Sequence, residues 1–144
     1  MSASALVDTG AIVAFLDKRD QWHPACQEAF RQVALPLLTS EAVLTEFFYF
    51  VRVRSYDART AWRFVRSGMV QLASMTDSDL PALSQLMHQY HDRPMDFADA
   101  TLVHLAQRES LNTILTVDVG DFQTYRIGGT KRFRILPGSG TLQR

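Results

Sequence analysis

The chain has 144 residues, 47% apolar and 21% charged, proportions with which a globular protein builds its own core. Its 15 basic and 15 acidic side chains cancel, so no overall positive field draws it onto nucleic acid, and any such contact needs a local basic patch. The lone cysteine, Cys26, excludes an internal disulfide and a cysteine-rich zinc site, and no leader-like or membrane-length apolar run is visible. These features predict a cytoplasmic protein with one domain over residues 1–137 and a loose tail over 138–144.

In chain order, Ser4–Val7 reads as a short buried strand ending at Asp8, and Thr9 and Gly10 turn it into a helix over Ala11–Leu16. Trp22, Cys26 and Phe30 mark one stripe of a second helix reaching Val33. Pro36–Thr39 is a second strand, with Ser40 placed to cap a long apolar helix over Glu41–Arg54. Asp57 opens an arginine-rich helix that stops before Gly68, and Val70–Ala73 is a further strand. Thr76 and Asp79 have the spacing of a capping box for a helix running to about Tyr90. A turn at His91–Pro94 precedes a helix whose apolar run is Ala100–Ala106. Thr113–Val117 is then a strand ending at Asp118, and Arg132–Leu136 an edge strand. Short apolar strands alternating with helices predict an α/β fold, a three-layer α/β/α sandwich around a mostly parallel sheet. Ligands gather at the carboxyl ends of such strands, which is where Asp8 and Asp118 fall.

The acids carry the chemistry. Asp96 and Asp99 lie about 60° apart on one helical face, and both also suit a cap and a first-turn acid. Glu46 sits in a helix that is apolar nearly all round, so it is expected to be largely buried and therefore paired, protonated or metal-bound. A pair with Arg54 or Arg63 is the structural alternative. Asp8 or Thr9 can cap the helix that follows, and Asp118 can be a turn residue. Asp118 and Asp121 repeat the three-residue spacing, with the Thr116 hydroxyl nearby. Carboxylates packed together stay ionised only when a cation neutralises them. Oxygen donors without histidine or cysteine suit magnesium or manganese, and such a site points to metal-assisted phosphodiester hydrolysis.

Four segments, LVDTGAIVAFLD, TEFFYF, PMDFADATLVHLA and TVDVGDF, occur in an order and at intervals that resemble the PIN domain family. Within that family the likeness is to the VapC-like toxins of bacterial toxin–antitoxin pairs, and it runs from about Ser4 to Leu136. The resemblance implies a PIN-like sandwich and a magnesium- or manganese-dependent endoribonuclease. It implies metal-binding, catalytic roles for Asp8, Glu46, Asp99 and Asp118. Asp96 and Asp121 are additional acids, and Thr9 and Thr116 match positions where a small hydroxyl flanks the site. A protein antitoxin and a homodimer are the implied partners. Two alternatives stay open: a PIN nuclease of RNA processing or DNA maintenance without an antitoxin, and a binding module that has lost catalysis.

Arg59, Arg63 and Arg66 share one helical face and are a candidate RNA-phosphate surface, or else a solvated face pairing with Asp57. His88 and His91 read as a polar helix end, His23 as structural, His104 as a hydrogen-bonded core or interface residue, and Cys26 as buried filler.

Overall fold

The computed structural model describes residues 2–138. Five strands form one sheet: β1 (Leu6–Val7), β2 (Leu37–Ser40), β3 (Val70–Ala73), β4 (Thr113–Leu115) and β5 (Arg134–Leu136). Their order is β3-β2-β1-β4-β5, and every pairing is parallel. The helices are α1 (Thr9–Leu16), α2 (His23–Gln32), α3 (Glu41–Val53), α4 (Ala58–Val65), α5 (Leu80–Gln89), α6 (Phe97–Arg108) and α7 (Val119–Thr124). The expected α/β/α sandwich is therefore present, with a sheet that is wholly parallel among the described residues. From β1 the chain steps outward to β2 and β3, then crosses back to β4 on the other side of β1. Right-handed crossovers put the connections before and after that reversal on opposite faces. The reversal leaves a crevice beyond the carboxyl ends of β1 and β4, which are in register through Leu6 opposite Ile114 and Val7 opposite Leu115.

The core explains why the strands can be so short. Leu6, Leu37, Ile114 and Leu115 are fully buried together with Ile12, Phe47, Leu102 and Leu105 from the helices. Burying such a side chain contributes about 1.5–3 kcal/mol, so a few residues per strand suffice when both faces of the sheet are covered.

Element ends depart from expectation where polar side chains intervene. β1 pairs only through Leu6 and Val7, and α1 begins at Thr9 rather than Ala11, because the Asp8 carboxylate accepts from the Thr9 amide at 2.8 Å. β4 stops at Leu115, two residues early, since the Thr116 hydroxyl accepts from the Asp118 amide and bends the chain there. Helix α7 follows without having been anticipated. Ser40 does cap α3, accepting from Val43 N–H at 3.3 Å.

Helix α3 is not buried nearly all round. Val43, Leu44, Phe47 and Val51 are buried, but Tyr49 and Val53 are 53% and 48% exposed, and Glu46 is half-buried. The helix packs against α1 on one side and α6 on the other, which leaves a third stripe to solvent.

The expected capping interaction at Thr76 forms, with Asp79 accepting from the Thr76 amide at 2.9 Å, although the first turn, Asp77–Asp79, is 3₁₀. Asp79 also accepts from His104 Nε2 at 2.8 Å and Arg108 Nη1 at 3.3 Å, tying the start of α5 to α6. His104 is thus the hydrogen-bonded residue expected of it. Cys26 is fully buried, and desolvation pushes its thiol up to about 12, which makes it inert filler. β5 is an edge strand as expected, and the proposed loose tail lies, beyond Gly138, outside the described residues. Among the described residues no helix is long and apolar enough to cross a membrane.

His104, the Thr76 amide and Arg108 hold the Asp79 carboxyl well below the usual carboxylate range. Its contribution to stability is therefore full above the unfolded value near 3.9 and declines as pH falls below it. Asp79→Asn should lower the melting temperature at pH 7, and the gap from the native chain should narrow below about pH 4. Thermal melts across pH check this; a gap that is constant with pH would remove the charge from the explanation.

Candidate active site

The crevice beyond β1 and β4 is a cavity of about 360 Å³. Its walls bring together Asp8, Glu46, Asp99 and Asp118, the four principal acids, with both additional acids, Asp96 and Asp121. Asp20 joins them, and among the described residues Arg54 is the only cationic side chain on the wall.

Each acid is placed by a local reason. Asp8 follows β1 and is buried, with Oδ1 accepting from the Thr9 amide and Oδ2 from the Thr116 hydroxyl at 3.0 Å. Thr9, also buried, donates its hydroxyl to Glu46 Oε1 at 2.6 Å, so one residue of α1 orients the acid of α3. No ion pair joins Glu46 to Arg54 or Arg63 among the described residues, so the buried-pair alternative does not hold. Asp96 is the N-cap of α6 and accepts from the Asp99 amide at 2.8 Å. Asp99, one turn in, is buried and accepts from the Tyr125 hydroxyl at 3.1 Å. Asp118 stands on the open side of the cavity, its amide held by Thr116. Gly10 lets the Asp118 loop approach α1: a Cβ there would lie 2.5 Å from Val117 Cγ2.

Burial and mutual repulsion raise these carboxyls. Desolvation, then the charges of Asp118 and Glu46, lift Asp8 to about 7. Desolvation, then Asp8, Asp96 and Asp118, lift Asp99 to about 8. Glu46 is raised by partial burial and by Asp96 and Asp118, and Asp118 by partial desolvation and by Asp121 and Asp96. A site that holds negative charge so unfavourably is built for a cation. The donors are all oxygens, and Thr9 and Tyr125 each occupy only one oxygen of Glu46 and Asp99. That set suits a hard divalent ion such as magnesium or manganese, which retains part of its water shell. Among the described residues, no three Asp, Glu, His or Cys side chains already stand close enough for direct ligation of one ion, so the fit rests on charge and donor chemistry.

Arg59, Arg63 and Arg66 are exposed on α4 and its C-cap and do not line the cavity; Arg59 is 3.7 Å from the helix-capping Asp57. Sequence reasoning missed Asp20 and Tyr125 as site residues and offered Arg54 only as an ion-pair partner for Glu46. Asp20 and Arg54 follow the ends of α1 and α3, so only tertiary packing brings them to the wall. Tyr125 sits one helical turn after Asp121, a weak signal for a shared face.

The sequence profile of the PIN domain family matches residues 5–127. The chain belongs to the PIN domain family. Ribonuclease VapC26 of Mycobacterium tuberculosis is 32% identical over 134 residues, spanning 92% of this chain and 99% of that protein. The crystal structure of VapC20 from the same organism, described as a toxin that cleaves the sarcin-ricin loop, has a TM-score of 0.69. That likeness covers 77% of this chain and 87% of VapC20 at 20% identity, and so speaks to the shared PIN fold.

Asp8 and Asp99 hold their protons more tightly in the folded PIN domain than in the unfolded chain. Low pH therefore favours the folded state, and the advantage is lost as pH rises through about 7 and 8. In metal-free buffer the melting temperature should fall between pH 5 and pH 8.5, and added magnesium should raise it more at the upper end. A flat profile with no magnesium effect would contradict this electrostatic account. Gly10→Ala should destabilise the fold by about 1–3 kcal/mol in urea melts, and adding Val117→Ala should recover part of the loss. No recovery in the double variant would mean the clash lies elsewhere.

Proposed function

We propose that this PIN domain is a magnesium- or manganese-dependent endoribonuclease, the toxin of a toxin–antitoxin pair. The observation that carries the proposal is the convergence of Asp8, Glu46, Asp99 and Asp118 in one cavity at the sheet reversal, with Thr9 and Thr116 orienting two of them. Similarity to Ribonuclease VapC26 along nearly the whole of both chains supports RNA as the substrate and an antitoxin as the partner. Action in the cytoplasm, as a homodimer, completes the reading; the inert, buried Cys26 accords with a reducing compartment.

In this mechanism Asp8, Asp99 and Asp118 would hold the divalent ion, and Glu46 would complete the set or orient the attacking water. When bound, the ion supplies a more acidic water and positive charge beside the phosphoryl oxygens. The protein's own part is positional. Thr9 fixes one oxygen of Glu46 and leaves Oε2 available to the cavity. Thr116 links the Asp118 amide to the Asp8 carboxylate, holding the acids of β1 and β4 in one frame. Tyr125 does the same for Asp99 from the end of α7. Asp96 serves the site chiefly by capping α6 and so setting the direction of Asp99. Water attack in line on phosphorus leaves a 5′-phosphate and a 3′-hydroxyl. Arg59, Arg63 and Arg66 offer outlying contacts to RNA phosphates.

Asp99→Asn should reduce magnesium-dependent cleavage of RNA by on the order of 100-fold or more, since changes one layer further out already cost 10–100-fold. Asp96→Asn should cost less activity and some stability, as befits a cap. Gel-resolved cleavage beside thermal melts checks both. Equal cleavage by native and Asp99→Asn proteins would place the activity in a contaminant or another site, and the reverse ranking would exchange the roles of the two acids.

A further inference from the structure

Among the described residues Arg54 is the one cation on a wall otherwise crowded with carboxylates, yet it is paired with none of them. Its backbone is fixed at the C-cap of α3, where its amide donates to the Phe50 carbonyl at 3.0 Å. Its guanidinium carbon lies over the Phe50 ring, 4.7 Å from the ring centre, a cation–π contact that steadies the group without using its N–H donors. Among the described residues its side chain makes one hydrogen bond, from Nη1 to the Tyr56 hydroxyl, long at 3.5 Å. Tyr56 spends its own proton on Asp17 at 2.7 Å, and Asp17 is engaged as well by Arg19. Asp17, the acid reached through Tyr56, is thus occupied elsewhere, and Asp57 is taken up by Arg59, so that among the described residues the Arg54 fork joins no carboxylate.

A free, stacked guanidinium at the edge of an acidic cavity matches a particular ligand. An RNA strand brings a negative charge with every nucleotide, and the carboxylates repel those that flank the reacting one. A planar fork donates to two phosphate oxygens at once, which a solvated lysine does less well. We propose that Arg54 is a phosphate-binding residue of the substrate site, holding an RNA phosphate next to the scissile linkage. This rests on the ribonuclease reading and adds to it a fixed positive contact within the cavity, separate from the arginines of α4. By anchoring a neighbouring phosphate, Arg54 sets where along the strand the scissile bond comes to rest.

The test uses the full chain carrying Asp99→Asn, so that RNA is bound without being cut, and a short single-stranded RNA labelled for fluorescence anisotropy. Arg54→Gln in that background should weaken binding about tenfold or more, as expected for loss of a hydrogen bond to a charged group. It should also reduce the slope of log affinity against log salt by about 0.7, the signature of one lost phosphate contact on a single strand. Arg54→Lys should keep the slope while recovering only part of the affinity. Arg52→Gln, which removes an exposed guanidinium 5.6 Å from the Tyr49 ring and away from the cavity wall, should change affinity little. With Asp99 intact, Arg54→Gln should raise KM more than it lowers kcat. An unchanged affinity and salt slope, or an effect no larger than that of Arg52→Gln, would overturn the role of Arg54 while leaving Asp99-dependent cleavage standing. A fall in melting temperature alone, with RNA binding intact, would make Arg54 a structural cap and overturn it equally. If the native protein cleaves no RNA with magnesium or manganese, the ribonuclease reading itself fails and Arg54 with it.

Discussion

Like charges gathered where little water reaches them govern this structure. Two unit charges 4 Å apart repel by about 4 kcal/mol at the effective dielectric of a partly buried site. Asp8 and Asp99 are drawn into such a place by elements packed for other reasons: the central strand of the sheet and the most buried helix. What makes the arrangement tolerable is a small set of neutral donors. Thr9, Thr116 and Tyr125 each spend a hydroxyl on one carboxylate, and the amides of Thr9 and Asp99 supply two more hydrogen bonds. None of these donors brings a compensating positive charge, so the cavity keeps its electrostatic demand for a cation. Had the fold answered each acid with an arginine, as it answers Asp79 with His104 and Arg108, the site would have been stable and silent.

Capping and site chemistry share residues here rather than competing for them. Asp8 caps α1 through one oxygen, Asp96 caps α6, and the same turns aim Thr9 and Asp99 into the cavity. A helix N-terminus carries partial positive charge, which favours an acid at its first turn whatever the acid does next. The PIN domain therefore obtains a positioned carboxylate from an ordinary helix start. Asp8 is at once a helix cap and part of the cavity wall, with one oxygen on the Thr9 amide and the other on the Thr116 hydroxyl.

Much of this was legible in the sequence because it is written in local pattern. Apolar runs of strand length between helical stripes announced a parallel sheet, and acids at run ends announced the crevice. Legibility failed where tertiary packing decided. Glu46 looked deeply buried because Leu44, Phe47, Phe48 and Val51 surround it in sequence, but α3 lies between α1 and α6 with one flank in solvent. The pattern of one helix cannot say how many neighbours it has. Arg54 and Asp20 follow helix ends that meet only in the folded molecule, and Tyr125 is tied to Asp99 across 26 residues. Arg59, Arg63 and Arg66, by contrast, were conspicuous as a run and lie off the cavity.

The hydrogen bonds at Asp8 and Asp99 differ in a way that matters for anyone who wants a folded but silent protein. Among the described residues Asp8 receives two donors, one on each oxygen, whereas the carboxylate of Asp99 receives one, on Oδ2. A carboxamide offers one acceptor oxygen and one NH₂. At position 99 that oxygen can face Tyr125 and every partner stays satisfied. At position 8 the NH₂ must face either the Thr9 amide or the Thr116 hydroxyl, and donor meets donor. If Thr116 turns to accept, as it already does from the Asp118 amide, its own proton must leave position 8 and the link from Thr116 to that side chain is reversed. The two substitutions look equivalent on paper, but only the one on α6 exchanges charge for neutrality without disturbing the frame that holds the strand ends together.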